Sequence, residues 1–221
     1  MPSSKTAILF DLDGTLVDTA PDLAYALNRT LEKFNRQPLP LEKIRPVVSH
    51  GGVALIRLGF QIDTDHADFE TYRQYLLDVY KNNLCRDSKL FAGMDELLTK
   101  IEQAEIPWGI VTNKPSWLTD PLMRQMKLDK RAFSIVSGDT CKNKKPHPEP
   151  IEFACSQGDI DPSQCLYVGD AERDIEAGNA AGCTTVTALF GYIQDHDRPD
   201  LWQADHVIKH PLEILDILDA C

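Results

Sequence analysis

The sequence feature that most constrains the fold is a series of short, largely apolar runs, most of which end abruptly at a polar residue or a glycine. The runs occupy residues 7–10, 108–111, 133–136, 165–168, 184–189 and, as a sixth candidate, 206–208. They are continuous rather than alternating, which is typical of strands buried on both faces and therefore of a parallel sheet. Helical periodicity lies between them, at residues 93–105, 149–158, 172–181 and 211–218. This alternation predicts an α/β fold with a doubly wound, Rossmann-like parallel sheet.

Residues 18–90 interrupt the alternation because they carry helical patterns only. Pro21 suits a first helical turn, and apolar residues recur behind it on one helical face. Three further helical stretches follow at residues 41–48, 53–58 and 68–83. We therefore predict an α/β core at residues 1–17 and 91–221, with an inserted all-α domain at 18–90. Such an insert follows the first strand and would lie over the carboxyl edge of the sheet, where open α/β sheets bind ligands.

Composition argues against several classes of function. The net charge is −11, and the densest basic run is short, so a nucleic-acid partner is not expected. The apolar run near the N-terminus is only four residues long, which predicts neither a signal peptide nor a membrane span. The six cysteines lack metal-ligand spacing and are typical of free thiols in a reducing compartment. We expect a soluble cytoplasmic protein, either a monomer or a homodimer.

Two acidic clusters follow predicted strands. Asp11 and Asp13, in DLDGT, are two residues apart, so their side chains point the same way. Carboxylates that converge in this manner repel each other unless a cation or a shared proton lies between them. Asp170 and Asp174, in GDAERD, are one helical turn apart. Each cluster alone is equally consistent with an acidic turn or a helix cap, whereas together they offer the oxygen ligands that Mg²⁺ prefers.

Two further polar clusters follow later strands. Thr112 and Asn113 come directly after residues 108–111, and a hydroxyl with successive N–H groups can hold phosphate oxygens. Lys145 lies in the sequence KKPHP, where prolines restrict the backbone and direct the ammonium group. Seen singly, these segments are also consistent with an ordinary turn and a solvated basic loop.

In chain order, the segments DLDGT, IVTN, KP and GDAERD match the four motifs of the haloacid-dehalogenase-like phosphatases, which the sequence resembles over nearly its whole length. The resemblance implies Mg²⁺-dependent hydrolysis of a small phosphorylated metabolite through an aspartyl-phosphate. Asp11 would be the nucleophile, and Asp13 the general acid and base. The aspartate at position 13 favours phosphoryl transfer over dehalogenation, because dehalogenases of this fold lack it. The helical insert corresponds to the C1-type cap of the family.

The resemblance also implies binding roles. Thr112 and the N–H group of Asn113 would anchor the phosphate, and Lys145 would neutralise charge on the transferring group. The implied Mg²⁺ ligands are the side chains of Asp11 and Asp170 and the backbone carbonyl of Asp13, with Asp174 behind them.

Substrate choice is expected to lie in the cap. The stretches SKLFAGM, WGIVTNKP and GYIQDHDRPDLWQADHVIKHPLE are similar to the N-acetylmuramic acid 6-phosphate phosphatases, which favours an amino-sugar phosphate as substrate. Phosphoglycolate is the alternative, and a sugar-phosphate mutase or a non-catalytic binding module is less favoured. For the cap segment SHGG at 49–52, a tight turn with a solvated His50 is favoured over the alternative, in which the glycines let the backbone approach a ligand and His50 contacts it. Trp108, Trp117 and Trp202 are expected to be packing residues.

Overall fold

A computed structural model describes residues 7–219 and contains six strands in one parallel sheet. In chain order these are β1 (Ala7–Phe10), β4 (Trp108–Val111), β5 (Ile135–Val136), β6 (Cys165–Gly169), β7 (Thr184–Ala188) and β8 (His206–Ile208). Two more strands, β2 (Val17–Asp18) and β3 (Lys89–Leu90), form a separate antiparallel pair. The order across the large sheet is β5-β4-β1-β6-β7-β8. The predicted doubly wound α/β sheet is therefore confirmed.

The helices of the core lie on both faces of this sheet. They are α5 (Met94–Gln103), α6 (Ser116–Gln125), α7 (Glu149–Gln157), α8 (Glu172–Ala181) and α9 (Glu213–Asp219). Neighbouring residues of one strand enter different apolar clusters: Phe10 packs with Trp108, whereas Leu9 packs with Tyr167. All four side chains are buried, which explains why the strands have continuous apolar sequences.

The inserted segment is helical throughout. It comprises α1 (Ala20–Lys33), α2 (Leu41–Ile44), a 3₁₀ helix (Arg45–His50), α3 (Gly51–Phe60) and α4 (Phe69–Asn82). These helices share an apolar cluster of their own, in which Leu27, Leu55 and Tyr80 are fully buried. The chain enters the insert through β2 and leaves it through β3, and Val17 pairs there with Leu90.

Three local elements differ from the sequence expectations. The strand predicted at 133–136 is reduced to Ile135–Val136, which forms the edge of the sheet and pairs with β4 alone. The helix predicted at 41–48 changes to a 3₁₀ helix at Arg45, next to Pro46. Helix α6 was not predicted at all.

Other sequence expectations concern thiols and membranes. Of the cysteines in the described part of the chain, Cys155, Cys165 and Cys183 are buried, and none is in a disulfide. Cys221 lies outside the described residues. Within residues 7–219, no helix has the length and apolar character needed to cross a bilayer.

Candidate active site

The polar residues singled out in the sequence meet at the carboxyl edge of the sheet. Strands β4, β1 and β6 are neighbours and run parallel, so the residues that follow them converge. Asp11, Thr112 and Asp170 are these residues, and all three are buried. Lys145 reaches the same point from the loop after β5.

Lys145 is the centre of a buried polar network. Its Nζ lies 3.0 Å from Oδ1 of Asp11 and 2.7 Å from Oδ1 of Asp174. The same ammonium donates to the carbonyl of Val111 at 2.8 Å and to the hydroxyl of Tyr167 at 2.7 Å. With 4% of its surface exposed, Lys145 is fixed as a positive charge beside Asp11.

Asn113 holds the backbone of Lys145. Its Nδ2 donates to the carbonyl of Lys145 at 2.9 Å, and its Oδ1 accepts from the N–H group of the same residue at 3.1 Å. The following peptide bond, Lys145–Pro146, is cis. The sequence pointed to the backbone N–H of Asn113 as a phosphate donor and did not predict this use of the side chain.

Asp11, Asp170 and Asp174 form a buried acidic cluster in which one oxygen of each lies within 4.8 Å of the others. Oδ1 of Asp170 accepts from the Thr15 hydroxyl at 3.1 Å, and Oδ2 accepts from the Tyr192 N–H at 2.8 Å. Burial raises the pKa of Asp170 to about 7, and the negative charges of Asp11 and Asp174 act in the same direction. Three buried carboxylates against one ammonium leave an excess of negative charge, and a hard cation with oxygen ligands fits this donor set.

Asp174 has two functions in the structure. Its Oδ2 accepts from the N–H of Ala171, directly before α8, at 3.1 Å, while its Oδ1 pairs with Lys145. Burial raises the pKa of Asp174, and the charge of Lys145 opposes that shift. The helix-cap interpretation of this residue is thus compatible with a place in the acidic cluster.

Asp13 lies at the boundary between the core and the helical insert. Its Oδ1 accepts from the Thr19 hydroxyl at 2.5 Å and from Nζ of Lys114 at 2.9 Å, and its Oδ2 lies 3.2 Å from the same Nζ. Nζ of Lys114 also donates to the hydroxyl of Tyr80, on α4, at 2.9 Å. Burial is the largest influence and acts to lower the pKa of Lys114, but the charges and hydrogen bonds of Asp13 and Tyr80 together outweigh it, so the pKa is raised. Burial also raises the pKa of Tyr80, to about 12.

Sequence reasoning missed both Lys114 and Tyr80 as site residues. Lys114 directly follows the Thr-Asn pair, so its position next to a motif was the available signal. Tyr80 lies in the helical stretch predicted at 68–83, and nothing in the local sequence indicates that its hydroxyl meets the core.

A cavity of about 870 Å³ lies between the helical insert and the carboxyl edge of the sheet. Asp11, Asp13 and Thr112 line it from the core side. The insert contributes residues 49–53 together with Arg73, Gln74, Leu77, Asp78, Tyr80 and Lys81. The segment 49–52, for which a tight turn was favoured over a ligand contact, therefore faces the cavity.

The expectation for Trp117 was wrong. Trp108 and Trp202 are buried packing residues, as predicted, but Trp117 is 40% exposed and lines the cavity. Nζ of Lys81 lies 5.7 Å from the centre of the Trp117 ring, across the boundary between insert and core. Trp117 lies in the first turn of α6, the helix that the sequence analysis did not find.

Ser49 connects the insert to the acidic cluster. Its hydroxyl lies 3.1 Å from Oδ2 of Asp170 and 3.5 Å from the carbonyl oxygen of Asp13. The carbonyl of Ser49 accepts from Nη2 of Arg173 at 2.8 Å. The helical insert thus contacts two of the three groups that the family resemblance implies as metal ligands.

A parallel α/β sheet with paired aspartates and a buried lysine at its carboxyl edge, beneath a helical insert, defines a capped hydrolase. The family model described as "Haloacid dehalogenase-like hydrolase" matches residues 8–188, and the chain belongs to this family. The family resemblance predicted from the four motifs, and with it the phosphatase class, is confirmed.

Phosphatases with two different names are among the curated proteins that this chain resembles. The chain is 41% identical to an N-acetylmuramic acid 6-phosphate phosphatase of Pseudomonas putida, covering 97% of this chain and 96% of the relative. It is 40% identical to a phosphoglycolate phosphatase of Xanthomonas campestris, covering 94% of each. Among solved structures, a predicted phosphoglycolate phosphatase from Haemophilus somnus has a TM-score of 0.85 at 27% identity, covering 99% of this chain and 100% of that one.

Proposed function

We propose that this protein is a Mg²⁺-dependent phosphatase that hydrolyses N-acetylmuramic acid 6-phosphate. The observation that carries the choice of substrate is the size of the cavity. A volume of about 870 Å³ lies in the range, roughly 300–1,000 Å³, that holds drug-sized ligands. An amino-sugar phosphate fits that range, whereas phosphoglycolate would leave most of the cavity to water. The 41% identity to a phosphatase named for this sugar supports the same choice.

In the first half-reaction, a carboxylate oxygen of Asp11 attacks phosphorus. The bond from phosphorus to the ester oxygen breaks as the acyl-phosphate bond forms, and Asp13 gives its proton to the departing sugar alcohol. Lys145, beside Asp11, offsets the repulsion between the nucleophile and the anionic phosphate. The Thr112 hydroxyl and the backbone N–H of Asn113 orient the phosphate oxygens.

In the second half-reaction, Asp13 acts as a base. It takes a proton from a water molecule, whose oxygen attacks phosphorus, and the acyl-phosphate bond breaks to give inorganic phosphate. Asp11 returns as a carboxylate and Asp13 as a carboxylic acid, so protons and bonds balance over the cycle. Closure of the helical insert over the site would exclude other water molecules.

The acidic cluster would hold the cation. Its ligands would be the side chains of Asp11 and Asp170 and the carbonyl of Asp13, with Asp174 held behind them by Lys145. Mg²⁺ bound there would offset the repulsion between the anionic nucleophile and the anionic phosphate.

We also propose residues 18–90 as a cap domain that moves on the β2–β3 pair. The chain crosses between core and insert only twice in the described part, at these two short strands. The cap would provide the recognition of the sugar, because Arg73, Leu77 and Lys81 line its side of the cavity. A cationic side chain there suits the lactyl carboxylate of N-acetylmuramic acid, and the exposed ring of Trp117 suits a sugar face.

The test is a substrate panel with Mg²⁺. N-acetylmuramic acid 6-phosphate is compared with N-acetylglucosamine 6-phosphate, which lacks the lactyl group, with glucose 6-phosphate and with phosphoglycolate. We expect the highest kcat/KM for N-acetylmuramic acid 6-phosphate and a loss of at least about tenfold without the lactyl group, equivalent to about 1.4 kcal/mol. Equal values for the two amino sugars would contradict the proposed lactyl recognition.

Phosphoglycolate is the second candidate, because a relative of that name is 40% identical over 94% of the chain. A higher kcat/KM for phosphoglycolate in the panel would reverse the choice of substrate and leave the chemistry of Asp11 and Asp13 intact. A binding module without catalysis is distinguished by Asp11→Asn, which would then behave like wild type.

A further inference from the structure

Two side chains to which the sequence analysis gave no role lie near the proposed acid and base: Lys114 contacts Asp13, and Tyr80 contacts Lys114. Nζ of Lys114 contacts both carboxylate oxygens of Asp13, at 2.9 and 3.2 Å. The Lys114 side chain is only 6% exposed. Its third contact is the Tyr80 hydroxyl at 2.9 Å, and the same ammonium lies 4.6 Å from the centre of the Tyr80 ring.

The backbone of Lys114 is held rigidly by the core. Its N–H donates to the hydroxyl of Thr112 at 3.2 Å, and its carbonyl accepts from the N–H of Gly138 at 2.8 Å. The hydroxyl of Thr119 also donates to that carbonyl, at 3.2 Å. A fixed backbone and a bifurcated contact restrict where the ammonium can lie, and hence the plane of the Asp13 carboxylate.

Tyr80 belongs to the helical insert and is fully buried, on α4. The contact from Tyr80 to Lys114 therefore depends on the insert lying against the core. Thr19, the other partner of Asp13, directly follows β2 at the entry to the insert. One partner of Asp13, Thr19, thus lies at the entry to the insert, and the other, the Lys114 ammonium, is itself in contact with a residue of the insert.

We infer that Lys114 is a positioning residue that aims the Asp13 carboxylate at the leaving-group oxygen, and that Tyr80 makes this aim dependent on closure of the cap. The inference rests on the proposed function, because it assigns to Lys114 an effect on the proton transfer by Asp13. Lys114 does not itself give or take the proton. Its contribution is orientation, to which proton transfer is sensitive.

The experiment uses the dependence of rate on the leaving group. An alkyl phosphate such as N-acetylmuramic acid 6-phosphate needs a proton on its departing oxygen, whereas p-nitrophenyl phosphate has a leaving group stable as an anion. Release of p-nitrophenolate in the first turnover therefore reports phosphoryl transfer without acid assistance. Asp13→Asn shows what loss of the acid does to the two substrates. We expect kcat with the alkyl ester to fall strongly and first-turnover release from the aryl ester to be retained, and we call this pattern the signature of a lost acid.

For Lys114→Met we expect kcat with the alkyl ester to fall by about 10²-fold, the lower end of the usual effect of acid–base catalysis. KM should change by less than about threefold, and first-turnover release from the aryl ester should stay within about fivefold of wild type. Lys114→Arg, which keeps the charge, should recover part of the loss. Lys100→Met removes a lysine from an exposed pair with Glu96 and should leave both substrates unaffected.

Tyr80→Phe removes the contact of the Tyr80 hydroxyl with Lys114 and keeps the ring. This variant therefore tests the inference even if Lys114→Met does not fold. We expect a smaller loss with the alkyl ester and none with the aryl ester. Equal losses with both esters in Lys114→Met, or an unchanged ratio of the two rates in Tyr80→Phe, would overturn the inference. If Asp13→Asn shows the signature and Lys114→Met does not, only the role of Lys114 fails. If wild type turns over neither ester, the proposed function fails with it.

Discussion

The ammonium of Lys145 lies 2.7 Å from Oδ1 of Asp174, and 4% or less of either residue is exposed. The same ammonium pairs with Asp11 at 3.0 Å, so one buried cation stands between two buried carboxylates. We expect a group placed in this way to matter for stability, because unpaired buried charges are costly.

Lys145→Met should therefore destabilise the fold. It leaves Asp11 and Asp174 buried without their ammonium partner, so we expect the free energy of unfolding to fall by about 3–5 kcal/mol. Urea denaturation measures this loss. Adding Asp174→Asn to Lys145→Met should recover part of it, because one of the unpaired charges is then gone. A loss from Lys145→Met below about 1 kcal/mol, typical of an exposed pair, would contradict the buried network.

Asp170 should make the cation-free protein less stable as the pH rises. Its pKa in the folded state is raised to about 7, whereas the unfolded chain has an ordinary value of about 3.9. Between these values the folded state holds a proton that the unfolded state has lost, so stability falls from about pH 4 to about pH 7. In EDTA, we expect wild type to lose stability relative to Asp170→Asn across this window, by about 1.4 kcal/mol for each pH unit.

Urea denaturation of both proteins at pH 4, 5.5, 7 and 8 gives the difference directly. It should widen up to about pH 7 and then level off. Mg²⁺ should stabilise wild type more at pH 8 than at pH 5, since binding needs the ionised carboxylate. A difference in stability that does not change with pH would show that the pKa of Asp170 is not raised in the folded state.

Trp117 should affect recognition of the sugar rather than the chemical step. Its exposed ring lines the cavity near Lys81, so Trp117→Ala removes contact area from a large ligand and little from a small one. We expect KM for N-acetylmuramic acid 6-phosphate to rise about tenfold, as for a loss of about 1.4 kcal/mol, with kcat and the values for phosphoglycolate nearly unchanged. Phe153→Ala is the matched control, because Phe153 is 41% exposed but does not line the cavity. Equal effects of the two substitutions would argue against a ligand contact at Trp117.

Some helices and strands could be predicted because the local sequence pattern indicates which of their residues are buried. Strand β1 and helix α8 have the predicted bounds, because an apolar run and a helical repeat each end at a clear stop signal. Helix α6 was not predicted because Pro121 and several polar residues interrupt its helical pattern of apolar residues. The β2–β3 pair was not predicted because a strand of two residues is too short to show a pattern of alternating apolar residues.

Some residues of the candidate site could likewise be predicted from the sequence, and others could not. Asp11, Thr112 and Asp170 each come directly after a strand of the parallel sheet, so the sequence predicts that they lie at one edge of the sheet. Tyr80 reaches Asp13 only through Lys114, across the boundary between insert and core. Contacts of this kind depend on how two packed units lie against each other, and no local pattern records that arrangement.

The central claim, that Asp11 forms a covalent bond to phosphorus, is tested most directly by trapping the acyl-phosphate. The enzyme is mixed with N-acetylmuramic acid 6-phosphate and Mg²⁺, quenched during turnover and treated with borohydride, which reduces an acyl-phosphate to an alcohol. Peptide mass spectrometry should then find homoserine in place of aspartate at position 11, and only when substrate is present. Turnover of the ester with an unmodified Asp11 in every quenched sample, or turnover by Asp11→Asn at the wild-type rate, would contradict the account.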